Sequence, residues 1–145
     1  MNAQKREFIG QVTLDSIEGT YDNQLDSSRY SLLILLGNTD TAETVTISFI
    51  DQAKILFEYG TTGHSDTFDC ELKNNYLEFY VSRVRRGIPP IYSNTRINRI
   101  RIFVEDSNTI KIVQYLNYGG TRFLMAAGYK TTKTYHAKKR LLTPR

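Results

Sequence analysis

A chain of 145 residues, 40% hydrophobic and 23% charged, has the length and composition of one globular domain, not of a fibrous or disordered one. No stretch of roughly 18 apolar residues is present, which excludes a transmembrane helix, and one cysteine, Cys70, excludes an intrachain disulfide framework. The net charge of +4 hides an uneven spread: residues 1–80 hold 5 Lys and Arg against 13 Asp and Glu, and residues 81–145 hold 14 against 2. That asymmetry reads either as an anionic partner for the basic half or as acidic strands pairing with basic ones.

Residues 1–13 form a polar lead-in without the apolar stretch of a signal peptide. Leu14 to Glu18 suits one helical turn capped by Thr13 or Asp15. Gly19 breaks it, and Thr20 and Tyr21 open a strand. Tyr30 to Leu36 is apolar on both faces and reads as a fully covered strand. Val45, Ile47 and Phe49 alternate with Thr44, Thr46 and Ser48, and Ile55, Phe57 and Tyr59 repeat the pattern. Gly60 to Gly63 reads as a turn, His64 as part of a Gly-His-Ser-Asp turn, and Phe68, Cys70 and Leu72 alternate with Asp69 and Glu71.

From Tyr76 to Ala137 the alternation is strongest, with Leu77, Phe79 and Val81, then Ile100, Ile102 and Val104, then Ile110 and Ile112 on one parity. Arg85 to Ser93, with Gly87 and Pro89-Pro90, reads as a long irregular connection. Tyr118-Gly119-Gly120 reads as a turn into a last strand, Thr121 to Ala137, and residues 138–145 as a basic, frayed tail. Nine strand candidates with short turns and no long helix predict an all-β, antiparallel up-and-down meander. Closure into a barrel of eight to nine strands, one domain over 1–145, would remove its edges.

The order of features around Gly19-Thr20-Tyr21, a short apolar turn leading into Gly-Thr-aromatic and then a strand meander, resembles the lipocalin-like (calycin) barrels. It looks most like the small bacterial lipocalin-like domains that are often lipoproteins. The resemblance implies that Tyr21 plugs the closed end of the barrel and that a basic residue after the last strand, Lys138 or Lys139, packs over it. Tyr stands where the family usually has Trp. Asp22-Asn23-Gln24 is also similar to the bilin-lyase branch of that superfamily. The compartment stays open: cytoplasmic if Met1 is native, periplasmic or an outer-surface lipoprotein if a leader has been removed.

No catalytic or metal motif stands out. His64 and His136 occupy separate contexts and do not converge with Cys70 into a ligand set. There is no Gly-x-Ser-x-Gly elbow and no phosphate-cradling glycine loop, so no cofactor is expected. Arg83, Arg85 and Arg86 with Tyr76 and Tyr80 form an aromatic–basic group, but their strand-like spacing does not favour nucleic acid over a solvated face. Cys70, at strand spacing, reads as a small core hydrophobe.

Polar residues in phase with apolar ones are more informative. Arg96 and Asn98 share parity with Ile100 and Ile102, Gln114 with Ile110 and Ile112, and Arg83 with Phe79 and Val81. The expected function is therefore non-catalytic binding of a small apolar or amphipathic molecule within the barrel. Tyr21 would close one end, Phe79, Ile102, Ile112 and Met125 would wall the cavity, and Arg83, Arg96, Asn98 and Gln114 would make the polar contacts. Two alternatives remain: a surface interaction module with a filled core, offering Ile88, Ile91 and Tyr92 beside Pro89-Pro90 as its apolar patch, or a barrel enzyme such as an isomerase or chromophore lyase.

Overall fold

The computed structural model describes residues 12–25, 29–60, 63–88, 92–122 and 125–140. The side chains of Ile88, Tyr92, Thr121, Arg122, Met125 and Ala126 lie outside that description, as do Pro89, Pro90 and Ile91. In chain order the elements are α1 (Leu14–Ile17), β1 (Gly19–Asp22), α2 (Leu32–Leu35), β2 (Thr44–Ile50), β3 (Lys54–Tyr59), β4 (His64–Leu72), β5 (Leu77–Ile88), β6 (Tyr92–Asp106), β7 (Thr109–Arg122) and β8 (Met125–Lys138). The eight strands pair in sequence order, every neighbour antiparallel. The meander curls into a half-barrel, a form compatible with a lipocalin-like barrel.

The ninth strand candidate is a helix. Ser31 stands at the N-cap in extended conformation and its hydroxyl accepts from the Ile34 backbone N–H at 3.2 Å, so the chain turns into α2 at once. A four-leucine run is covered on all sides either as a central strand or as a buried helix, and periodicity alone does not separate the two. Leu32, Leu33, Leu35 and Leu36 are buried in the core, while Ile34 is 45% exposed. Asn23 holds the helix in place. Its Nδ2 donates to the Ala42 carbonyl at 2.7 Å, and its Oδ1 accepts from the Leu33 N–H at 3.0 Å.

Two other expectations give way to longer strands. The connection between β5 and β6 is short, because β5 continues through Gly87 to Ile88 and β6 starts at Tyr92. The predicted turn at Gly119-Gly120 lies inside β7, which runs on to Arg122. Those glycines answer to crowding, not to a turn: a Cβ on Gly120 would stand 2.7 Å from the Ser93 carbonyl oxygen, and one on Gly119 3.2 Å from that of Ala127. Likewise β4 begins at His64, directly opposite Tyr59, so His64, Ser65 and Asp66 are paired strand residues and not a turn.

The half-barrel has two parts. In the proximal half all eight strands contribute, and β1 meets β8 through the bridge between Tyr21 and Lys139. The Arg140 N–H also donates to the Thr20 carbonyl at 2.8 Å. Lys138 to Arg140 are thus tied down, and the tail that follows them, residues 141–145, lies outside the described residues. In the distal half only β5 to β8 continue, because β4 pairs with β5 at three positions, Cys70↔Phe79 to Leu72↔Leu77.

The acidic and basic halves of the sequence do meet across the ladder. Glu78 on β5 accepts from Arg101 Nε on β6 at 2.7 Å and lies 3.9 Å from Arg99 Nε. Arg140 joins Asp22 at 2.8 Å.

Candidate functional site

The interior of the proximal half is filled. Phe57, Phe79, Ile102 and Ile112 are buried in one core with Leu33 and Leu35. The Phe57 and Phe79 rings lie 5.6 Å apart, and the Phe68 and Phe79 rings 5.3 Å apart. Three of the predicted wall residues, Phe79, Ile102 and Ile112, therefore come together against one another and α2. Met125, the fourth, sits at the start of β8 with its side chain outside the description.

Tyr21 occupies the proximal end. It is fully buried, its hydroxyl donates to the Ile17 carbonyl at 2.5 Å, and burial pushes its pKa well above the ordinary tyrosine value. Lys139 Nζ lies 5.9 Å from the centre of its ring and donates to the Ser16 carbonyl at 3.3 Å. Of the two basic residues expected to cover Tyr21, Lys139 is the one that does.

The four predicted polar contacts separate. Asn98 and Gln114, 8% and 6% exposed, stay inward as their parity requires. Both amide groups point to the Leu35 carbonyl at 3.4 Å, and Gln114 Nε2 donates to Asn98 Oδ1 at 3.1 Å. They satisfy the carbonyl at the end of α2 and each other. Arg96 shares their face but stands two residues further out, exposed, beyond the helix.

Arg83 leaves that face. The pairing of β5 with β6 shifts between Tyr80 and Ser82, a bulge at Val81, so Ser82 and not Arg83 falls opposite Asn98. Arg83 projects from the outer face, its guanidinium 4.5 Å above the Tyr80 ring. With Phe79, Cys70 and Tyr80 it lines a pocket of about 370 Å³ where β4 parts from β5. Burial, and then the Asp69 charge, pushes the Cys70 thiol up to about 11, which leaves it a weak nucleophile near neutral pH.

A larger cleft of about 870 Å³ lies at the seam between β1 and β8. Its lining mixes apolar Leu25 and Ile34 with Arg29, Lys138 and Arg140, and with the carboxylates Asp22, Asp40 and Glu43. Arg140 Nε donates to Asp22 at 2.8 Å, so this cation is already partly neutralised. Sequence reasoning missed the cleft because it is assembled from a loop, a short helix and the chain after the last strand. Asp22-Asn23-Gln24 and the basic run from Lys138 each signalled one wall of it.

Among the described residues no group of His, Cys, Asp and Glu side chains is placed to hold a metal ion. Among them, too, no helix is long and apolar enough to cross a membrane. Compared with protein-family models, curated proteins and solved structures, the chain matches none.

Proposed function

We propose that this chain is a lipocalin-like, non-catalytic binding protein for a small amphipathic molecule with an anionic group, and that the molecule sits in the seam cleft. The observation that carries the reading is the cleft itself. Its volume falls within the few hundred to about 1,000 Å³ usual for small-molecule sites, and the exposed Ile34 shares it with Arg29 and Lys138. Burial of an apolar chain against Ile34 and Leu25 supplies affinity, and a cation pairing with a carboxylate sets orientation. The lipocalin likeness is supported by Tyr21 under Lys139 at the proximal end and by the meander order.

The filled proximal core favours a second reading, in which the domain is a surface interaction module. Native mass spectrometry of freshly purified protein, followed by organic extraction, separates the two. A discrete added mass recovered as an amphipathic molecule is expected. Titration with dodecanoate and with dodecanol then tests the site. Replacing Arg29 by Ala weakens dodecanoate roughly tenfold, the value of one charge-assisted hydrogen bond, and leaves dodecanol unchanged. An equal effect on both, or no binding of either, sinks the assignment.

A further inference from the structure

The two faces of the distal sheet treat their aromatic rings differently. On the outer face of β5 to β7, four rings are each covered by one of the chain's own cations. Arg101 lies 4.7 Å over Tyr76, Arg99 4.7 Å over Tyr115, Arg83 4.5 Å over Tyr80 and Lys111 4.8 Å over Phe103. That face is satisfied internally.

On the concave face, Tyr118 of β7 and Tyr129 of β8 stand directly opposite each other, with Arg96 of β6 in the same row. Tyr118 is 39% and Tyr129 51% exposed, and among the described residues neither ring contacts another ring or a cation. The next row outward carries exposed Arg86 on β5, Asn94 on β6 and the small residues Gly120 and Ala127, so among the described residues no large side chain follows the tyrosines on β7 and β8 in that row. Nearer the core, Lys133 Nζ lies 5.5 Å from the Tyr30 ring.

Charge points the same way. From Val81 to Val104 and from Ser107 to the end of the chain there is no Asp or Glu at all. Glu78, Glu105 and Asp106, the carboxylates of β5 to β8, all stand toward the proximal end, so the distal stretch of these strands opposes its exposed cations with no carboxylate of its own.

Exposed aromatic faces without partners, flanked by cations in a concave, acid-free surface, are what a single-stranded nucleic acid needs. Bases stack on the rings without regard to sequence, and phosphates meet the cations. We infer that the concave face of the distal sheet binds single-stranded nucleic acid, with bases on Tyr118 and Tyr129 and phosphates on Arg86 and Arg96. This site is separate from the seam cleft, and neither assignment depends on the other. It also lies on the opposite face from Tyr76 and Tyr80, the tyrosines that the sequence groups with Arg83, Arg85 and Arg86.

The test is fluorescence anisotropy of a labelled single-stranded oligonucleotide of mixed sequence with the full chain, at several salt concentrations. Tyr118→Leu and Tyr129→Leu each weaken binding on the order of tenfold, whereas Tyr118→Phe and Tyr129→Phe, which keep the ring, bind as the parent does. Tyr115→Leu on the outer face has no effect. Arg96→Gln lowers the slope of log K against log salt by about 0.7, one released counterion contact on a single strand. All these positions are at least partly exposed, and thermal melting confirms that each variant is folded. Absence of binding by the parent, equal binding by the Leu variants, or equal affinity for duplex would each overturn the inference. So would retention on phosphatidylserine vesicles without retention of the oligonucleotide, which would make the face a membrane surface instead.

Discussion

Replacing Leu33 by Ala asks whether α2 is a permanent part of the core or a lid over a chamber. Leu33 is fully buried at the centre of the half-barrel, and its backbone N–H is fixed by Asn23. Its neighbour Ile34, on the same turn, is 45% exposed. If α2 is core, Leu33→Ala loses the transfer free energy of the removed atoms and leaves a void, together about 3 kcal/mol within the usual 2–5 for such sites. In a domain of this size that lowers the melting temperature by roughly 6–12 °C. Ile34→Ala loses well under half as much. Urea unfolding at constant m measures both. A cost for Leu33→Ala no greater than that for Ile34→Ala would refute the packing described above. It would instead favour a barrel interior that opens by displacing the helix, with Phe79, Ile102 and Ile112 lining it.

Two further outcomes follow from buried polar groups. Asn98→Ala and Gln114→Ala each cost about 1–2 kcal/mol by stripping a donor from the Leu35 carbonyl, and because the amides also bond each other, a double-mutant cycle gives a coupling of at least ~0.5 kcal/mol. Additive effects would mean that the network is not formed. Stability falls on the alkaline side, since Cys70, Tyr21 and Tyr135 all have pKa values raised chiefly by burial. In each case the unfolded chain releases its proton first, so unfolding liberates protons and stability is lost as pH rises. The loss begins near 9, the ordinary thiol value, and is carried further by the tyrosines from 10 upward. Urea midpoints taken from pH 8 upward check this, and a flat profile would contradict the burial of all three groups.

Most of the sheet was legible in the sequence because period-two alternation survives wherever one face is buried. Leu77, Phe79, Ile100, Ile102, Ile110 and Ile112 fall inward as counted. The misreadings have local causes. One extra residue at Val81 reverses every later side chain of β5, and no residue in the run Tyr80-Val81-Ser82 advertises a bulge. Gly119 and Gly120 look like turn residues, yet they are required by the close approach of Ser93 and Ala127. The run from Leu32 to Leu35 is too short for its period to show, and only Ser31 ahead of it hinted at a cap. The candidate site suffered more, because Asn98 and Gln114 were correctly placed inside but their partner, the Leu35 carbonyl, is a backbone group that no side-chain pattern reveals.

An open meander has two edges to protect, and the distal half shows how this chain does it. Beyond its last pair with β4, the edge of β5 away from β6 has no strand beside it among the described residues, and the outer edge of β8 meets β1 only near Lys139. Such edges template unwanted strand pairing unless charge or irregularity blunts them. On β5 the bulge at Val81 comes first, followed by Arg83, Arg85 and Arg86, and on β8 Lys130, Lys133 and Lys138 recur along the strand. Edge protection thus accounts for many of the cations in the acid-free region without any ligand. It does not account for Tyr118, which lies on β7 between two paired strands, or for the ring of Tyr129 left bare opposite it. Protection against aggregation is served by charge alone and gains nothing from exposed rings, which add apolar surface. The two tyrosines, and not the surplus of positive charge, are therefore the feature of the distal sheet that calls for a partner.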